Sequence, residues 1–310
     1  MKFNTFLRTI KVVKNPLVLL SLRRGKAPCV VEFRNGLVFR LTWPQFRSLR
    51  DSYQYFEGCS ITQAGNDLFK LSHEKSEIKC ASHLVPLFCE LMSDFSIKQE
   101  KDQYQIKNNS LQLTGFIEML ACIQELKAGE YDCDYREKVV LDVGGFQGET
   151  AIYFLSKGAK RVVIYEPIRQ NAESIRRNLA LNNMDAEIYQ VGIGDKDDVL
   201  TIDGLGYGIH YQPEAKTEIR VMAASKIIEQ SRADIAKIDC EGAESCLVNV
   251  APETLRLTPY YMLEVHSPQI RADIIHKFQH SGFTLKKEIK KSPPCKYSTI
   301  HFEINDRPRR

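Results

Sequence analysis

The sequence predicts an α/β protein: an open, mostly parallel, seven-stranded sheet with helices on both faces over residues 113–310, preceded by an α+β region over 1–112. Three observations carry this reading. From Gly115 onward, short apolar runs alternate with amphipathic segments, the pattern of strands joined by crossover helices. Directly after the first of those runs comes "VGGFQG", a glycine turn at the place where doubly wound sheets hold ligands. The chain closes on two strand-like runs joined by a short Pro-bearing connection, which calls for a hairpin and so for one antiparallel strand.

The elements follow in order. After an opening helical stretch, "VVEFRNGLVFRL" alternates apolar and polar residues around Asn35-Gly36, a hairpin signal in which both turn residues would take positive φ. "WPQFRSLRDSYQYF" reads as a helix, as does the stretch from Ala81 to about Lys98, and "YQIKNNSLQLT" reads as a second hairpin. The helix "GFIEMLACIQELKAG" opens the second region. Its strands are expected at 138–143, 161–166, 187–191, 235–239, 260–266, 283–289 and 299–304, a dinucleotide-like architecture.

Composition bounds the class. An apolar content of 43% and a charged content of 26% are those of an ordinary globular protein. The net charge of +4, from 43 basic against 39 acidic residues, does not by itself argue for nucleic acid. Nine cysteines without a CxxC pair fit reduced thiols better than a disulfide framework or a zinc site. The longest apolar run near the N-terminus, Leu17 to Leu20, is too short for a signal core or a spanning helix, so a cytoplasmic location is expected. Phe3, Phe6, Leu7 and Ile10 beside basic residues leave a second fate open for residues 1–26: peripheral contact with an anionic membrane in place of packing.

The glycine turn selects its ligand by spacing and charge. It has neither the GxGxxG spacing of dehydrogenases nor the Gly-Lys-Ser/Thr ending of a P-loop. Asp142 and Glu149 would repel a pyrophosphate, whereas an acidic turn built on Gly144, Gly145 and Gly148 suits a cationic, phosphate-free ligand such as S-adenosylmethionine. Glu166, ending the strand "RVVIYEP" before Pro167, can accept both ribose hydroxyl protons. In "QVGIGDKDD", Gly192 ends a strand and Asp195 either meets the adenine amino group or is simply a turn residue. "IAKIDCEGAES" crowds Lys237, Asp239 and Glu241 at the carboxyl end of a central strand, where ligands of open sheets sit. Glu241 and Glu244 also fit the opening of the next helix, whose positive end favours acids.

These pieces, "VVLDVGGFQGETAIYF", "RVVIYEP", "QVGIGDKDD", "IAKIDCEGAE" and "MLEVH", resemble the FkbM family of S-adenosylmethionine-dependent methyltransferases over roughly residues 137–305. The Asp-x-Glu-Gly-x-Glu of residues 239–244 is the most family-specific of them, while the glycine turn and Glu166 mark the broader class I methyltransferase fold. The resemblance implies methyl transfer to oxygen, often a hydroxyl of a sugar or other small metabolite. It gives no support for a metal, so none is assigned, although the same carboxylates are of a kind that binds divalent ions. Gly145-Phe146-Gln147 departs from the family's commoner turn and so puts the methionine-end contacts in question.

Proton removal from a hydroxyl acceptor would fall to Glu241 or His266, with Asp239 orienting cofactor or acceptor and Glu264 behind them. His266 equally suits a structural strand-end histidine. "DGLGYGIHYQPEAKTE" (203–218) reads either as a mobile lid bearing Tyr207, His210 and Tyr211 or as an exposed hairpin connection. Two rivals stand beside the small-molecule or glycan enzyme. One is an RNA methyltransferase using Arg23, Arg24, Lys26, Arg47, Arg50, Arg307, Arg309 and Arg310; the other is a non-enzymatic interaction protein that keeps the fold. The oligomeric state has no signature.

Overall fold

A computed structural model of the chain describes residues 11–24, 27–51, 53, 56, 59–74, 76–205, 212–290 and 297–305. It divides into two units, residues 1–120 and 121–310. The membrane-contact stretch lies outside the described residues at 1–10 and 25–26, as do Tyr207, His210, Tyr211 and the terminal arginines 307, 309 and 310.

The first unit is α+β. Helix α1 (Val18–Arg24) leads into β1 (Cys29–Glu32) and β2 (Val38–Leu41), then α2 (Trp43–Asp51). A three-stranded antiparallel sheet follows, β3 (Ser60–Gln63), β4 (Leu68–His73) and β5 (Ser76–Ala81), which the sequence pattern did not disclose. After a 3-10 turn and α3 (Val85–Met92), a second such sheet forms from β6 (Ser96–Glu100), β7 (Gln103–Lys107) and β8 (Gln112–Gly115). Helix α4 (Ile117–Lys127) spans the boundary between the units.

Two local expectations are corrected here. The first hairpin forms, pairing Glu32 with Val38, but only Gly36 of the Asn35-Gly36 pair takes positive φ. Bonds from Gly36 N to Phe33 O and from Phe33 N to Leu37 O make the turn a bulged one, which needs a single left-handed residue. The helix expected to reach Lys98 stops at Met92. Leu91 and Phe95 keep helical spacing, yet Ile97 alternates with exposed Ser96 and Lys98 and pairs with Ile106, so packing on β7 overrides the local pattern.

The second unit is built on β9 (Val139–Val143), α5 (Glu149–Ser156), β10 (Arg161–Tyr165), α6 (Arg169–Leu181) and β11 (Glu187–Tyr189). A side ribbon comes next: β12 (Gly192–Gly194), β13 (Asp198–Leu205) and β14 (Gln212–Ala223). Then follow α7 (Ala224–Ser231), β15 (Ile235–Ile238), a 3-10 stretch (Ala243–Asn249), α8 (Pro252–Leu255), β16 (Tyr260–Val265), α9 (Pro268–His280), β17 (Phe283–Lys290) and β18 (Ser298–Ile304).

Seven of these strands form one sheet in the order β11-β10-β9-β15-β16-β18-β17. All pairs are parallel except those of β18, which runs antiparallel to both neighbours, as the short last connection required. This is the sheet of a class I methyltransferase fold. Around it Leu141, Val163, Ile238, Leu263, Ile274, Phe278 and Phe302 form part of one buried core.

The 203–218 segment is largely ribbon: Asp198 to Leu205 pairs with Gln212 to Val221, so the hairpin alternative fits its described parts. Among the described residues no helix is long and apolar enough to cross a membrane.

Gly144 shows how tightly the sheet's carboxyl edge is closed. It sits at φ +80°, and a Cβ there would fall 1.8 Å from the backbone oxygen of Asp239. Gly144→Ala therefore forces β9 and β15 apart. The expected loss is on the order of 4 kcal/mol, read as a lowered midpoint in urea unfolding of the full chain.

Candidate active site

The carboxyl ends of β9, β10, β15 and β16 meet at one edge, and the turn from β9 into α5 carries the three glycines. Each is required by the protein's own packing. A Cβ on Gly145 would meet the Ile164 side chain at 2.4 Å, and one on Gly148 would approach Ile175 Cα at 3.2 Å. Asn178 ties the turn down by donating to the Gln147 carbonyl at 2.7 Å.

Asp142 lies beneath this turn, fully buried, and does not line an open surface. It accepts from Thr150 Oγ1 at 2.6 Å and faces Lys237 Nζ at 3.2 Å. Lys237 also donates to the Gly144 carbonyl at 2.7 Å and lies 3.8 Å from Asp239. Burial opposes its charge, but Asp142, Asp239 and Glu149 outweigh that and raise its pKa. The cation at the centre of the acidic turn is thus the protein's own ammonium.

Glu149 opens α5 in the first turn, is buried, and accepts from Gln147 N. Burial pushes its carboxyl up to about 7, with Lys237 pulling the other way. Glu166 is likewise pushed up to about 7 by burial, against hydrogen bonds from Ile168 N, Asn171 and Phe146 N. Its Oε1 accepts from Ile168 N at 2.9 Å and Asn171 Nδ2 at 3.3 Å, and its Oε2 from Phe146 N at 3.0 Å. The β10 carboxylate therefore grips the glycine turn directly. Pro167 follows, and Gly192 lies against it, since a Cβ there would be 3.4 Å from Pro167 Cβ. Asp195 is drawn elsewhere, accepting from Asn249 Nδ2 at 2.8 Å.

The third group centres on His266, at the end of β16. Glu244 Oε1 accepts from both its backbone N at 2.9 Å and its Nδ1 at 3.0 Å, while Glu244 Oε2 accepts from Gly242 N. Glu244 thus opens the 3-10 stretch and anchors the histidine at once, so the two readings of this acid are not alternatives. His266 Nε2 faces Glu241 at 3.5 Å, Asp239 at 3.6 Å and Glu264 at 4.0 Å. Burial opposes a charge on the ring, but Glu244, Asp239 and Glu241 prevail and push its pKa up to about 9. Glu241 holds φ +53°, a left-handed conformation costly outside glycine.

Sequence reasoning passed over four contributors. Asn171 sits in the first turn of α6, five residues after Glu166; Thr150 holds Asp142. Tyr131 donates to Glu264, and the Tyr297 ring lies 4.9 Å from that of His266. Only Thr150, inside the glycine motif, stood near a visible signal.

Residues 142–283 match the family model described as the methyltransferase FkbM domain. The match lies within the second unit, which is thus similar to FkbM methyltransferase domains and of the S-adenosylmethionine-dependent methyltransferase class. No curated protein matches the chain in sequence. Among solved structures, SMU.776, provisionally described as a methyltransferase and complexed with SAH, is similar at 8% identity and a TM-score of 0.49, over 97% of each chain. The ribosomal protein L11 methylase of Lactobacillus delbrueckii subsp. bulgaricus is similar at 14% identity and a TM-score of 0.38, over 60% of this chain and 80% of that one. The fibrillarin pre-rRNA processing protein of Methanococcus jannaschii is similar at 10% identity and 0.40, over 79% and 97%.

Two outcomes test this geometry. Lys237→Met strands Asp142 without a counter-charge and should cost about 3–5 kcal/mol, much of which Asp142→Asn on the same chain restores; urea unfolding of the wild type and the two variants measures it. Glu149 is the pH probe. Its folded pKa, about 7, lies above its ordinary 4.5, so the folded state binds the proton more tightly. Its share of stability is present at low pH and is lost as pH rises from about 4.5 to about 7. Glu149→Gln should flatten that fall in a series of thermal unfolding midpoints.

Proposed function

We propose that the second unit transfers a methyl group from S-adenosylmethionine to a hydroxyl oxygen of a sugar or other small metabolite. The observation that carries it is Glu166. A carboxylate offers about four lone-pair sites, and three donors occupy Glu166 from the protein side. One acceptor position is left for a ribose hydroxyl, so the residues fit the donor. Phe146 and Gly145 would border the ribose, and Pro167 and Gly192 the adenine. Asp239, with 29% of its side chain exposed, is the acid at this edge able to meet the ammonium or sulfonium.

Bound S-adenosylmethionine supplies an electrophilic methyl carbon on a sulfonium. The protein's part is to hold the acceptor oxygen about 3–3.5 Å from that carbon, in line with the sulfur, and to receive the hydroxyl proton. Glu241 is assigned as the proton acceptor because its side chain is 60% exposed and reaches the open side of the edge. Asp239 and His266 position it: the imidazole stands between the two carboxylates, and Glu244 fixes the ring.

Glu166→Ala should weaken S-adenosylmethionine binding at least tenfold, about 1.4 kcal/mol, by calorimetry. Glu241→Ala should leave donor affinity unchanged and lower turnover on the acceptor found by screening metabolite pools with a labelled methyl donor. Unchanged donor affinity in Glu166→Ala counts against the assignment.

A further inference from the structure

We infer that His266, Asp239 and Glu264 form a binding site for a divalent first-row cation at the carboxyl edge of the sheet. One ligand atom from each lies within 4.8 Å of the others.

The arrangement around the imidazole is that of a metal ligand with its supporting carboxylate. Metal-binding histidines give their second ring nitrogen to an acid, which fixes tautomer and orientation. Here Nδ1 is 3.0 Å from Glu244 Oε1, and the backbone N of His266 is bonded to the same oxygen, so the ring is held at two points. That leaves Nε2 aimed at Asp239, Glu241 and Glu264. The side chain is nine-tenths buried, at 9% exposure. Charge-assisted hydrogen bonds run about 2.7–2.9 Å, and none of the three separations, 3.5, 3.6 and 4.0 Å, reaches that range.

The spacing suits an ion. Bonds of about 2.0–2.2 Å to nitrogen and oxygen bridge ligand atoms up to roughly 4.2 Å apart, so a contraction of under about an ångström closes the set. The ion takes the place of the proton that these acids favour on Nε2 and supplies their counter-charge in its stead. One imidazole with carboxylates favours an ion such as Mn2+ over Ca2+, which takes oxygen alone. Glu241 and Asp239, at 60% and 29% side-chain exposure, leave the site open on one side for entry and for water or a hydroxyl ligand. A second group, Glu125, Glu130 and Glu264, shares Glu264 but lacks an imidazole, and Glu130 already accepts from Thr299 Oγ1. In the methyl-transfer reading, on which this role alone rests, the ion would bind the acceptor hydroxyl and make its proton easier to remove.

The test uses the full chain stripped with chelator, Mn2+ alone and no methyl donor, followed by electron paramagnetic resonance. The expected result is one Mn2+ per chain with nitrogen coupling from an imidazole. Asp239→Asn and His266→Gln should each raise the Mn2+ Kd at least tenfold, with Glu125→Gln unchanged and all three matching wild-type thermal unfolding to within a few degrees. No stoichiometric binding, no nitrogen coupling, or a loss in Glu125→Gln that Asp239→Asn does not share would overturn the site. Calorimetry with S-adenosylmethionine and no Mn2+ reports separately on the donor, so failure of one reading is distinct from failure of the other.

Discussion

A buried ammonium organises the carboxyl edge of this sheet. Lys237 stands in the middle of a strand whose other residues are apolar, with 2% of its side chain exposed, and bridges β9, the glycine turn and β15 through Asp142, the Gly144 carbonyl and Asp239. A lone buried ammonium would be costly. The surrounding acids and the carbonyl compensate for it, and they are compensated in turn. The turn cannot shift without unpairing the lysine, and the lysine cannot leave without stranding Asp142.

From that constraint follow the positions of the chemistry-bearing groups. The held turn presents Phe146 N to Glu166, and Glu166 spans from β10 to the start of α6. On the other side of Lys237, Asp239 leads into the strained Glu241 and then Glu244, which ties the end of β15 to His266 at the end of β16. Two carboxylates thus tie separate elements together: Glu166 joins the glycine turn to the start of α6, and Glu244 joins the end of β15 to the His266 imidazole.

The central strands of the main sheet were legible because, buried on both faces, they read as apolar runs such as Val139–Leu141 and Val162–Ile164, while the largely exposed edge strands β11 and β17 were legible from their place in the strand–helix alternation and the closing hairpin. The antiparallel β18 was legible from the length of one connection. Of the three-stranded ribbon only the hairpin connection was legible: Gly192-Ile193-Gly194 is a strand only because β14 lies beside it. The helix expected to reach Lys98 failed for a similar reason, with Ile97 captured by Ile106. Within the site, residue types at strand ends exposed Glu166, Asp239, Glu241 and His266, yet their partners depended on tertiary contact. The turn glycines predict a backbone open to a ligand, and the structure adds a second reason for them: a Cβ on Gly144 or Gly145 would collide with Asp239 or Ile164. The acidic turn predicts a cationic ligand, and the buried Lys237 among the same acids carries no mark of that place in the sequence.

An edge neutralised from within leaves one acceptor position of Glu166 for an adenosyl ribose in the proposed reaction. A crystal structure with S-adenosylhomocysteine tests it most directly. The expected structure has one ribose hydroxyl within hydrogen-bonding distance of Glu166, with the Lys237 ammonium still against Asp142 and the Gly144 carbonyl. A nucleoside seated away from β10, or a Lys237 turned out toward the ligand, would contradict it.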